Sequence, residues 1–137
     1  SLDAEFTGVA SSWSKVAVAL AKNKIIPDHL LEKIRFRELF GDYIANNDKH
    51  AYNLSFVTRG QKVIDLAPTY DMTCMLYMPR NYQLLPVEFN PPTPLASDTT
   101  IVSNVIPAAI EFWNQVMKDE RISPAFKKIA KECRNKI

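Results

Sequence analysis

Ala45-Asn46-Asn47-Asp48-Lys49-His50-Ala51-Tyr52-Asn53-Leu54-Ser55 is the stretch on which the reading of this chain turns. It sets an acid, a histidine and three asparagines close together, where a helical pattern stops and a strand pattern begins. A second acid follows in Leu66-Ala67-Pro68-Thr69-Tyr70-Asp71. These two pieces are expected to form one metal and phosphate site, with the rest of the chain as the scaffold that brings them together.

Working outward, the helix that feeds this stretch starts near Asp28, whose carboxylate suits an N-cap. It carries Leu31, Ile34, Phe36, Leu39, Phe40, Tyr43 and Ile44, an apolar arc wide enough for the centre of a domain. Asn46-Asn47-Asp48 ends it, because such side chains bond nearby backbone and favour turns. On the far side, Asn53–Thr58 and Gln61–Leu66 read as two strands around Arg59-Gly60, with the glycine free to take positive φ. Leu54 and Phe56 would share one face of the first strand, and Ile64 and Leu66 one face of the second. The hairpin returns Asp71 towards Asp48, and Pro68 stiffens the approach.

An earlier helix is expected from Phe6, Val9, Ala10, Trp13, Val16, Ala17 and Leu20, ending at Asn23, Lys24 and Pro27. Met72, Met75, Leu76, Tyr77 and Met78 suggest a short helix. Residues 79–100, broken by five prolines from Pro79 to Pro94, read as an ordered loop with one short strand at Gln83–Val87. Ser103 or Asn104 would cap a helix to about Lys118, with Pro107 in its first turn. Ser123-Pro124 opens a last helix with Phe126, Ile129, Ala130, Cys133 and Ile137 on its buried stripe. Trp13, Trp113 and Tyr70 are expected in the core, and His29 at the surface. The lysines and arginine of the last helix read as a solvated face.

The 137 residues suit a single domain, 1–137, with a real core; 47% hydrophobic and 23% charged residues are ordinary for a soluble protein. A net charge of +2 does not by itself argue for nucleic acid or membrane. No apolar run approaches a membrane span, and nothing in the first residues given has the charged, apolar and small-residue order of a signal peptide. Cys74 and Cys133 have no metal-ligand spacing around them, which favours free thiols in a reducing, cytoplasmic setting. The start at Ser1-Leu2, without Met, suggests a piece of a longer protein.

The spacing Asp48-x-His50-x-x-Asn53 carries chemistry. A carboxylate leaving a helix can orient a hydroxyl and accept its proton as it attacks phosphorus. An amide oxygen at Asn53 can hold magnesium, which prefers hard oxygen ligands. His50 can donate to a phosphoryl oxygen, and Asp71 would be the main magnesium carboxylate. Protein kinases divide the work in this way. Alone, Asn46-Asn47-Asp48 would be a helix stop, His50 a structural histidine and Asp71 a turn residue.

Asn-x-Asp-x-His-x-x-Asn-x-Ser, then a hairpin and Leu-x-Pro-x-Tyr-Asp, resembles the signature of HipA-like toxin kinases. Asn46, Asp48, His50, Asn53, Ser55, Leu66, Pro68, Tyr70 and Asp71 carry the match. The resemblance implies an α+β, mainly helical fold: a protein-kinase-like C-terminal lobe with a small β-hairpin carrying the site. It implies an ATP- and Mg2+-dependent serine/threonine kinase, usually the toxin of a toxin–antitoxin pair, held inactive by a HipB-like DNA-binding antitoxin. DNA would then be met only through the antitoxin. Asp48 corresponds to the catalytic base, His50 to a catalytic-loop support, and Asn53 and Asp71 to the magnesium and nucleotide ligands. Departures are Ala45 where the family often has Gly, Lys49 for a common Arg, and Tyr52 for a common Lys. Gly8, Gly41 and Gly60 form no glycine-rich loop, and no β3-type lysine strand is present. An N-terminal lobe, fused or separate, is therefore an expected partner, and this chain alone is expected to transfer no phosphate. Two other readings stand beside the kinase: a catalytically weakened lobe acting as a binding or transcription-regulatory module, and a metal-dependent nuclease using Asp48, His50 and Asp71.

Overall fold

The structure is a computed structural model that describes residues 12–83 and 86–137. It is α+β and about half helical: α1 (Trp13–Lys22), α2 (Leu30–Tyr43), β1 (Phe56–Arg59), β2 (Lys62–Leu66), α3 (Thr99–Lys118) and α4 (Pro124–Asn135). Short 3-10 turns lie at Ala51–Asn53, Met75–Tyr77 and Ala96–Asp98. Contacts divide the chain into two compact units, 12–38 with 48–72, and 39–47 with 73–137. α2 contributes its first part to one and its last turns to the other. Among the described residues no helix is long and apolar enough to cross a membrane.

In the first unit, Ser12 caps α1 by accepting from the Lys15 N–H at 3.2 Å. Trp13, Val16, Ala17 and Leu20 recur at helical spacing and are buried, with Ile26, Leu30, Ile34 and Leu66 completing the core. Phe6, Val9 and Ala10, expected on the same helix, lie outside the described residues. α2 starts at Leu30, two residues after Asp28. Asp28 meets the helix through its backbone carbonyl, which accepts from Leu31 at 3.1 Å.

The hairpin is shorter than expected. Asn53 belongs to the 3-10 turn Ala51–Asn53 and not to a strand, and β1 begins at Phe56. The turn is centred on Gly60-Gln61, with Gly60 at φ +61. Phe56 pairs Leu66 and Val57 pairs Asp65, but Thr58 pairs Val63, so Ile64 is an extra residue in β2. This bulge breaks the two-residue alternation. Val63 and Leu66 face the core, while Ile64, expected beside Leu66, is 39% exposed.

In the second unit, Leu39, Tyr43, Ile44, Phe89, Val105, Ala109, Trp113, Ala130 and Cys133 are buried. α3 begins at Thr99, ahead of the expected Ser103 or Asn104, so Pro107 lies inside it. The cause is Asp98, a buried residue whose carboxylate accepts from the Leu95 N–H at 2.9 Å and winds a 3-10 turn that runs straight into the helix. The expected start of α4 holds: Ser123 accepts from the Phe126 N–H at 3.2 Å, and Pro124 is the first helical residue. Residues 72–78 form only the turn Met75–Tyr77. Of the strand expected at Gln83–Val87, Gln83 makes an isolated bridge to Arg80, Pro86 and Val87 are irregular, and 84 and 85 lie outside the described residues. Cys74 and Cys133 are both free thiols. Burial pushes Cys74 up to about 12 and raises Cys133 as well, so both stay protonated at neutral pH.

Candidate functional site

The approach to Asp48 is built in the second unit by the end of α2. The Asn46 N–H reaches the Gly41 carbonyl at 2.8 Å and the Ala45 N–H the Asp42 carbonyl at 3.3 Å. This is a Schellman motif, with Ala45 as the left-handed residue at φ +62. That conformation suits glycine, which gives the Ala45 departure a physical meaning. Two more donors fix the same turn. Leu76 N–H bonds the Ala45 carbonyl at 3.0 Å, and the Trp113 indole bonds the Tyr43 carbonyl at 3.0 Å. Asn46 is buried.

Asp48, His50, Asn53 and Asp71 all fall in the first unit. Asp48 is exposed and comes directly after Asn46-Asn47 as the chain leaves the helix. His50 is exposed, its ring edge-on to Tyr52 with centroids 5.8 Å apart. Its backbone carbonyl accepts from the Trp13 indole at 2.9 Å and from the Asn53 N–H at 3.0 Å. The second bond closes the Ala51–Asn53 turn, and Asn53 is 9% exposed. Tyr52 is 65% exposed.

The segment carrying Asp71 is tied to the segment carrying Asn53 by the residues just before each. The Tyr70 hydroxyl donates to the Tyr52 carbonyl. A phenol has one proton, so the Ser55 hydroxyl is the donor in the 2.8 Å bond it shares with Tyr70. Tyr70, expected in the core, is 39% exposed and acts as a clamp. Behind it, Ala67 N–H bonds the Ser55 carbonyl at 2.9 Å, and Arg37 bonds the Ala67 carbonyl at 2.7 Å. Burial lowers the Arg37 pKa, and Asp65 acts against that; a guanidinium keeps its charge regardless. Asp71 itself sits at φ +51, a left-handed conformation that Asp tolerates better than most residues.

The donor set suits a hard cation. Asn53 offers an amide oxygen and Asp71 a carboxylate, as magnesium takes when phosphates and water complete its shell. Among the described residues no group of three or more His, Cys, Asp and Glu side chains comes together as a metal cage. Trp13, Tyr70 and Arg37 were not legible as parts of this site. The available signal was the pairing of Ser55 with Tyr70, two hydroxyls inside the same two motifs.

The chain belongs to the HipA-like C-terminal domain family, which matches residues 4–137. One relative is Toxin YjjJ of Escherichia coli (strain K12), 33% identical over 141 residues that cover 99% of this chain and 31% of that protein. The chain thus spans about a third of the relative's length. No solved structure matches.

Proposed function

We propose that this chain is the C-terminal catalytic lobe of an ATP- and Mg2+-dependent protein serine/threonine kinase, the toxin of a toxin–antitoxin pair. The observation that carries the reading is the Tyr70 clamp: it joins the Asp71 segment to the segment of Asp48, His50 and Asn53 through the residues next to both proposed metal ligands. The HipA-type family and a relative named as a toxin support it.

Asp48, exposed at the head of the loop, orients the attacking hydroxyl and accepts its proton. His50 donates towards phosphoryl oxygens from a backbone anchored by Trp13. Asn53 and Asp71 hold magnesium, which when bound neutralises charge on the phosphates. A second lobe, fused or separate, covers the nucleotide; a HipB-like antitoxin and a protein substrate are the partners, and the cytoplasm is the setting. The isolated chain transfers no phosphate.

The test is transfer from labelled ATP by the full-length protein beside its Asp48→Asn variant. Label incorporated by the first, and reduced at least 100-fold in the second, is expected. No label in either, with folded protein and lysate as substrate, would replace the kinase with a binding or regulatory module. Magnesium titration supplies an independent check. Asp71→Asn, which keeps a residue tolerant of positive φ, should abolish saturable Mg2+ binding without lowering the melting temperature.

A further inference from the structure

The chain has two tryptophans, and both direct their single donor at the stretch that carries Asp48. Trp13 is 2% exposed and donates to the His50 carbonyl at 2.9 Å. Trp113 is 0% exposed and donates to the Tyr43 carbonyl at 3.0 Å. One indole lies in each unit, and the two carbonyls flank Asp48 on either side along the chain.

Core packing does not require this. A buried aromatic that only fills space is served by phenylalanine, whereas a buried indole N–H must find an acceptor. The Tyr43 carbonyl belongs to the last turn of α2, where helical carbonyls lack partners within the helix. The ring that reaches it is itself held by Phe112 and Phe89, with centroids 5.2 and 6.3 Å away. The His50 carbonyl already accepts the Asn53 N–H, so the Trp13 bond fixes the peptide that closes the turn at Asn53. Between these anchors Asp48 is exposed. Its Cα goes where the backbone carries it, and a displacement of about 1 Å at a reacting group can lower a rate about 100-fold.

We infer that Trp13 and Trp113 are positioning residues that act through their indole N–H groups, each within its own unit: Trp13 fixes the backbone at His50 in the unit that carries Asp48, and Trp113 fixes the end of α2 at Tyr43 in the other, so that each restrains the chain on its own side of Asp48. The catalytic part of this inference rests on the kinase reading; the backbone part does not.

The experiment replaces Trp13 or Trp113 in the full-length protein by 3-benzothienylalanine, which keeps the ring and puts sulfur in place of N–H. Val16→Ala and Val105→Ala serve as controls, since these buried residues lie on the same two helices and make no bond to the loop carbonyls. Each tryptophan replacement is expected to lower kcat for phosphotransfer about tenfold, as one such bond is worth. KM for ATP should stay within about twofold. Amide hydrogen exchange across residues 46–50 should accelerate about tenfold. The alanine controls should lower the melting temperature yet leave kcat and loop exchange unchanged. Folded replacements with wild-type kcat and wild-type loop exchange would overturn the inference. If the wild-type protein transfers no phosphate, the kinase reading fails, and loop exchange alone still decides whether the indoles hold the backbone.

Discussion

α1 and α2 end in the same way, and only one of the two ends leads into the proposed site. Both close with a Schellman motif. At α1, Ile25 N–H bonds the Leu20 carbonyl at 2.9 Å and Lys24 N–H the Ala21 carbonyl at 3.0 Å, with Lys24 left-handed at φ 56. At α2, Asn46, Gly41, Ala45 and Asp42 repeat the pattern with Ala45 at φ 62. Neither uses the glycine that this geometry favours. The difference is what surrounds them. The end of α1 is exposed and held locally, helped by the Asn23 side chain bonding the Ala19 carbonyl at 2.9 Å. The end of α2 is buried and held by distant residues, Leu76 and Trp113. A helix end secured by its own turn can vary freely. One secured by tertiary donors passes any change on to the next residues of the chain, here Asp48.

The largest expected effect comes from valine. Ala45→Val puts a β-branched side chain at positive φ in a site that is 4% exposed. Strain and overpacking together should destabilise the fold by about 2–4 kcal/mol. Phosphotransfer by the full-length protein should fall at least tenfold even where the variant remains folded. Lys24→Val meets only the conformational strain, because Lys24 is exposed, and should cost about 1 kcal/mol or less with activity intact. Denaturant unfolding and transfer assays on both variants check the pair. Equal losses would mean that burial and tertiary donors do not distinguish the two ends.

The same contrast explains what was legible from the residues alone. Local patterns sufficed for the buried stripe of α1 from Trp13 onward, for the body of α2, and for the Ser123-Pro124 start of α4, because helical spacing and capping chemistry are written over a few neighbours; the helix expected to run on from Phe6 is interrupted at Ser12, which is extended and caps α1. The candidate residues Asp48, His50, Asn53 and Asp71 stand out by type and spacing, and the fold sets all four in one unit. Their supports were not. Trp13 and Tyr70 each looked like core, and only a folded chain reveals that each aims a hydrogen at a distant carbonyl. The bulge at Ile64 was hidden for the same reason: alternation predicts Ile64 beside Leu66, and the extra residue emerges only when two strands are paired. The start of α3 was hidden because Asp98 does not resemble a simple cap; it acts through a 3-10 turn that reaches back to Leu95.

The smallest effects come from glycine, and they sharpen the comparison most. Lys24→Gly removes left-handed strain worth about 1–2 kcal/mol and adds about 0.4–1 kcal/mol of unfolded-chain entropy, for a net gain of about 0.5–1 kcal/mol. Ala45→Gly gains and loses the same amounts but also removes a buried methyl worth about 0.8 kcal/mol, so its stability should change by less than about 0.5 kcal/mol. Equilibrium unfolding in urea separates these outcomes. If Ala45→Gly stabilised the fold as much as Lys24→Gly, the Ala45 methyl would contribute nothing, and the burial of this helix end could not be what restrains the stretch leading to Asp48. If instead only Lys24→Gly stabilised it, alanine at 45 would be a workable balance, trading backbone strain against packing at the helix end that leads into the proposed site.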